Sequence, residues 1–295
     1  MGQLYTQKYL ISCCPSRLST AILQIECKEN SISEKDATQK MLDYIHVWRK
    51  CAKEMSNSTQ KTKSGLIGGE AQKIIQTTDY IGGSLMQKAA FYSICVAQSN
   101  ALMGQIVAAP TAGSSGVLPG ALLAFAEEKK IDDAQIASSI FAAAGVGLII
   151  WQKASFAGAQ MGCQGEIGSA AAMAAAAVCD LSGGNAKQSF DAASLALKSM
   201  LGLVCDPVAG LVEVPCVKRN TSAAVLAIHS AAMARCGIES KVPFEEVVSA
   251  MSDIGLKMDS TLRETSKGGL ATTPTGTKIA GCMSECIWKS KCCYK

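Results

Sequence analysis

The chain has 295 residues, 48% of them hydrophobic and 18% charged, with a formal net charge of +4. That length and apolar content support one large buried core or two small ones. A small charge without a long Lys/Arg run, together with only 5% aromatics, argues against nucleic-acid binding, which needs a basic footprint and stacking side chains.

In chain order, the pattern is helical nearly throughout. The apolar stretch 9–14 is short and stops at Pro15, so no secretory signal is expected. Met41, Tyr44, Ile45 and Trp48 recur at i, i+3, i+4 and i+7, one face of a helix. The polar run 56–64 reads as a linker. It would divide an N-terminal helical arm (1–55) from the main helical domain (65–281), which a Cys/Lys-rich tail (282–295) follows. Gly65-Leu66-Ile67-Gly68-Gly69-Glu70 is a glycine-rich loop, and the short apolar stretch 106–109 fits helix or strand equally. Pro110-Thr111-Ala112-Gly113-Ser114-Ser115-Gly116 precedes a helix expected to start near Pro119. Asp132 or Asp133 can cap a helix running toward Trp151. The longest unbroken apolar run, 140–151, has twelve residues, short of the roughly 18 that a membrane span needs. A second glycine loop, 162–168, leads into the alanine-rich helix 169–179. Another alanine-rich helix, 222–236, stops at Gly237. Pro243 suits the start of a helix carrying Phe244, Val247, Val248 and Met251 on one face. The expected fold is all-α, an Ala/Gly-rich helical domain with cysteine-bearing loops.

Fourteen cysteines in a long chain without a secretion signal point to a reducing cytoplasm, with some thiols as ligands and others as small hydrophobes. Cys179 and Cys236 end alanine-rich stretches and read as core. Cys163 in Gly162-Cys163-Gln164-Gly165, Cys205 in Val204-Cys205-Asp206-Pro207 and Cys216 in Val214-Pro215-Cys216-Val217-Lys218 sit in turn-like contexts. Three thiolates converging from loops would make a metal site with one open position. A four-ligand zinc site finds no Cys-x-x-Cys pair. Cys292 and Cys293 are adjacent, too close for ordinary bidentate geometry, and Cys282 and Cys286 have i, i+4 spacing. His46 and His229 lie in helical stretches and read as structural residues. The loop 110–116 offers backbone N–H groups, hydroxyls and a helix dipole. That suits a carboxylate or phosphate, although a plain turn or an N-cap would look the same. The Gly-Lys-Ser/Thr ending of a P-loop is absent.

The motifs combine into something more specific. Ala109-Pro110-Thr111-Ala112-Gly113-Ser114-Ser115-Gly116, Gly162-Cys163-Gln164-Gly165-Glu166-Ile167-Gly168, the run from Leu203-Val204-Cys205-Asp206-Pro207-Val208-Ala209-Gly210 to Val214-Pro215-Cys216-Val217-Lys218-Arg219-Asn220, and Arg263-Glu264-Thr265-Ser266-Lys267-Gly268-Gly269 closely resemble the α chain of iron–sulfur-dependent L-serine dehydratase. The resemblance covers residues 26–280. It implies a largely helical α domain with a [4Fe-4S] cluster on Cys163, Cys205 and Cys216, one iron being left for substrate. It also implies a separate β chain and conversion of L-serine to pyruvate and ammonia. Thr111, Ser114, Ser115 and Gly116 would then bind substrate, the last three holding its carboxylate through hydroxyl and amide donors. Lys218, Arg219 and Arg263 would balance charge or act as structural cations. The general base is not identified. Glu166, Lys218 and Glu264 are the nearest ionisable groups, with the β chain as the other source. Ile67 stands where the resemblance expects threonine, so one substrate or backbone hydrogen bond should be weakened. Two rival readings are a related iron–sulfur lyase acting on L-threonine or L-cysteine, and a non-catalytic Cys-rich metal-binding or redox protein.

Overall fold

Thirteen α-helices occupy residues 5–289, the part of the chain that the computed structural model describes, with side chains to residue 283. They are α1 (Gln7–Cys13), α2 (Leu18–Asn30), α3 (Glu34–Met55), α4 (Glu70–Gln76), α5 (Gly83–Ala101), α6 (Val117–Lys129), α7 (Asp133–Lys153), α8 (Gly158–Met161), α9 (Ser169–Leu181), α10 (Ala186–Lys198), α11 (Cys216–Arg235), α12 (Phe244–Lys257) and α13 (Pro274–Lys289). No strand forms among the described residues, only an isolated parallel bridge between Cys205 and Arg263. The fold is all-α, as the sequence pattern leads one to expect.

Local chemistry sets several helix starts. Ser33 accepts from the Asp36 N–H and Asp132 from the Gln135 N–H, while Asn185 and Gln188 form a reciprocal capping box. Helix α9 is the axis. Every residue from Ser169 to Asp180 is buried, and α6, α7, α10 and α11 all pack on it. Alanine permits that close approach from every side. An added methylene would cost about 1–3 kcal/mol through overpacking.

The first 55 residues share this core. Leu10, Leu18, Ile45 and Trp48 lie in the same apolar cluster as α6, α7 and α9. The buried Asp180 carboxylate accepts from the Ser19 N–H (3.1 Å), the Ser19 hydroxyl (2.8 Å) and Arg17 (2.8 Å), so α9 caps the first turn of α2. The polar run 56–64 does not end as a free linker. Thr62 and Ser64 are buried, and both hydroxyls donate to Oε2 of Glu213, at 2.8 and 2.5 Å.

Helix α7 has the length and composition of a membrane span, yet 67% of its most apolar stretch is buried within the protein. Cys179 is buried as expected, but Cys236 is exposed. Gly237 ends α11 at the surface, so the cysteine at its last turn has no core to enter. Ile67 is 1% exposed and packs with Ala52, Met55, Phe91, Ile94 and Cys95. Its side chain is a core element. Its carbonyl still accepts from Thr62 N–H at 2.8 Å.

Candidate active site

Helix α11 begins at Cys216, earlier than its alanine-rich part suggests. A sulfur at a helix N-terminus meets the positive end of the dipole, which favours thiolate. Cys163 precedes a π-helical turn, Gln164–Gly168, which continues into α9. Its glycines read as loop in the sequence; single π-turns recur at functional sites. Gln164 fastens this turn, accepting at Oε1 from Gly202 N–H and donating through Nε2 to Met251 O, both at 3.0 Å. Cys205 is held in the bridge, donating its N–H to Leu262 O (2.9 Å) and accepting from Glu264 N–H (2.8 Å).

The structure thus places two of the three sulfurs within reach of each other. The thiols of Cys163 and Cys205 hydrogen-bond to each other, and Cys216 lies near enough to feel the charge of Cys163. The hydrogen bond from Cys205, aided by Arg219, holds the Cys163 thiol below its ordinary range despite burial. The same hydrogen bond, with burial, pushes Cys205 upward. Burial, then the Cys163 charge, pushes Cys216 up to about 12.

Arg219, on the first turn of α11, faces this group. It donates to the Cys163 sulfur, to Val204 O at 2.9 Å, and pairs with Asp206 at 2.9 Å. The buried Asp206 also accepts from Leu270 N–H at 2.9 Å. Gly269 there has φ +59 and lies so close that a Cβ would come within 2.5 Å of Asp206 Oδ2. Asp206 therefore joins the Gly-Gly segment to the cysteine loops.

Two carboxylates border the same space. A Cβ on Gly158 would lie 3.2 Å from Cys205 Sγ, 3.2 Å from Glu166 Oε2 and 3.3 Å from Glu264 Oε2. Burial raises the Glu166 carboxyl above its ordinary value; a hydrogen bond from Thr111 opposes this and the neighbouring Glu264 adds to it. Glu264 has φ +62, a strained conformation for a residue with a side chain.

The glycine loop faces these carboxylates. A Cβ on Gly113 would be 3.5 Å from both Glu166 oxygens. Ser114 Oγ is engaged within its own turn, near Thr111 N and Thr111 Oγ1 at 3.3 and 3.1 Å. Ser115 Oγ is buried and has no partner. The Gly116 N–H donates to Asn220 Oδ1 at 3.0 Å, so it is not free to hold a substrate anion. Gly116 instead permits close packing, since a Cβ there would collide with the Ser93 carbonyl oxygen.

Other candidates fall away from the centre. Lys218 is half-exposed and pairs with Glu70 at 3.0 Å. Arg263 supplies backbone to the Cys205 bridge. His46 and His229 are exposed on α3 and α11. Cys282 lies on α13, and the side chains of Cys286, Cys292 and Cys293 lie outside the described residues.

No three Cys, His, Asp or Glu side chains among the described residues close around a single-ion site. A cluster has a different requirement, because its thiolates bind separate irons and do not converge on one point. The donor set fits such a group: three sulfurs, a partly buried guanidinium to offset negative charge, and a glycine, Gly158, where a side chain would crowd Cys205 and the two carboxylates.

Comparison with known proteins follows the same residues. A family model described as serine dehydratase alpha chain matches residues 16–271. The L-serine dehydratase α chain of Peptoniphilus asaccharolyticus is 40% identical over 282 residues, covering 94% of this chain and 97% of that protein. A probable L-serine dehydratase α chain of Latilactobacillus sakei is 52% identical over 196 residues, 66% of this chain and 93% of the other. The L-serine dehydratase TdcG of Escherichia coli K12 is 42% identical over 183 residues, 61% of this chain but 40% of that protein.

Proposed function

The chain belongs to the serine dehydratase α-chain family, and from that premise we propose that it is the α subunit of an L-serine dehydratase. L-Serine loses its α-proton and hydroxide, together one water. The aminoacrylate product tautomerises to an imine, which takes up water and gives pyruvate and ammonia.

The observation that carries this reading is the convergence of Cys163, Cys205 and Cys216 around Arg219, beside the glycine loop and Glu166. We assign those three cysteines to a [4Fe-4S] cluster, which would supply a Lewis acid for the departing hydroxide. Arg219 offsets charge at Cys163. The loop 111–115 holds the substrate carboxylate, with the unpartnered Ser115 hydroxyl as one donor and Thr111 orienting Glu166. Glu166 is the best placed of the base candidates, because it faces both the glycine loop and Cys205, whereas Lys218 is paired with Glu70. A β chain is assigned as partner because the matched relatives are named α chains and the E. coli relative extends well beyond the matched part. A reducing cytoplasm suits the free thiols from Cys13 to Cys236.

The test is anaerobic co-expression with the β chain, followed by iron, sulfide and pyruvate measurement. Iron, acid-labile sulfide and L-serine turnover are expected together. A colourless complex without iron that still dehydrates serine would refute the cluster assignment.

A further inference from the structure

We propose that Asn220 is a positioning residue that locks the substrate loop to the cysteine site, so that L-serine is held in register with Cys216. The proposal rests on the dehydratase reading above. Asn220 is 1% exposed and lies one turn into α11. Its amide makes three hydrogen bonds. Oδ1 accepts from Gly116 N–H at 3.0 Å, and Nδ2 donates to Gly113 O at 2.8 Å and to Cys216 O at 2.9 Å. An asparagine amide has one carbonyl acceptor and two N–H donors, and each of these groups is used here. One planar group thereby ties both ends of the segment 113–116 to the residue that opens α11.

The neighbourhood makes that link stiff. Gly116 packs so tightly that a Cβ would lie 3.1 Å from Asn220 Oδ1 and would overlap the Ser93 carbonyl. Gly113, whose carbonyl Asn220 holds, faces the Glu166 carboxylate. On the opposite side, Glu213 fixes the segment before Cys216 to Thr62 and Ser64. The loop is therefore braced against a part of the molecule that is itself anchored. Releasing Asn220 should free Gly113 relative to Glu166, and because its only bond to the cysteines goes to the Cys216 backbone carbonyl, iron binding should be kept.

Asn220→Asp preserves shape and still accepts from Gly116 N–H, but it loses both donors and sets a negative oxygen against two carbonyls. Losing both donated hydrogen bonds corresponds to a rise in KM for L-serine of about 5- to 150-fold. The experiment compares parent, Asn220→Asp and Asn220→Ala in the full-length chain assembled with its β chain under anaerobic conditions. It reads KM, kcat, iron per chain, and backbone hydrogen exchange over 109–117. The expected result is a raised KM with a smaller change in kcat, parent-like iron, and faster exchange in that segment. Unchanged KM would overturn the proposal, whether or not exchange had accelerated. So would iron loss with kcat falling while KM stayed constant, because Asn220 would then act on the cysteines alone. A parent complex that turns over no serine would sink the dehydratase reading, and the exchange comparison would still decide whether Asn220 fixes the loop.

Discussion

Replacing Gly158 by Ala should separate stability from function. Gly158 opens α8 without a left-handed φ, so alanine can adopt its backbone. Such a change gains about 0.4–1 kcal/mol by restricting the unfolded chain. Against this stand three tight approaches of the new Cβ, at 3.2, 3.2 and 3.3 Å. All three atoms end side chains, and in the metal-free chain they can shift by tenths of an ångström at little cost. The balance predicts a melting temperature for the iron-free chain between unchanged and about 3 °C higher. In the assembled enzyme the same shift cannot be absorbed, because Cys205 and the carboxylates must hold their places. Misplacement by about 1 Å can cost 100-fold in rate, so displacements of tenths should lower kcat/KM by about tenfold. Calorimetry, iron release to a chelator and anaerobic kinetics measure the three quantities. Parent-like kcat/KM with parent-like iron retention would refute the placement of the reaction beside Gly158. A clear drop in melting temperature would refute the claim that these side-chain ends yield.

Cys205→Ser should abolish the visible absorption of the anaerobically purified protein, whereas Cys179→Ser, within α9, should keep it; full iron in the first variant would remove Cys205 from the ligand set. Aeration should reduce activity, and ferrous iron with a thiol reductant should restore it, since the proposed cluster has one corner without a thiolate; full activity after prolonged exposure to air would contradict that. Burial raises the Glu166 carboxyl above 4.5, so the folded state binds this proton more tightly than the unfolded one. Its charged form therefore weakens the fold as pH rises from 4.5 through the folded value. Glu166→Gln should melt higher than the parent at pH 8, with the difference vanishing near pH 4.5, and it should lose turnover; an equal difference at both pH values would refute the assignment.

Features built from neighbouring residues were legible in the sequence. The Asp132 cap of α7, the Pro243 start of α12 and the alanine helix α9 each follow from a few adjacent residues. The start of α11 was hidden because 216–220 is polar and mixed, without an apolar stripe. The turn after Cys163 was hidden because its glycines signal a loop, while its π-helical hydrogen bonding depends on α9 beyond it. Interactions across the chain leave no pattern at all. Asn220 and Gly116 are 104 positions apart, and Thr62 and Glu213 are 151 apart, so nothing local pairs them. The grouping of the three cysteines came from likeness to a family; their spacing alone is equally consistent with three unrelated thiols.

The contact of Asp180 with Arg17 and Ser19 carries a consequence for biosynthesis. These partners are 161 and 163 positions apart, so loop closure must precede their meeting. A chain emerging from the ribosome carries α2 without its cap until residue 180 has been made. The N-terminal helices can already pack on α5 and α7, but the charged link from α9 to α2 closes only after them. A cut inside α9 before Asp180 would leave α2 on its α7 packing but without the carboxylate that caps it.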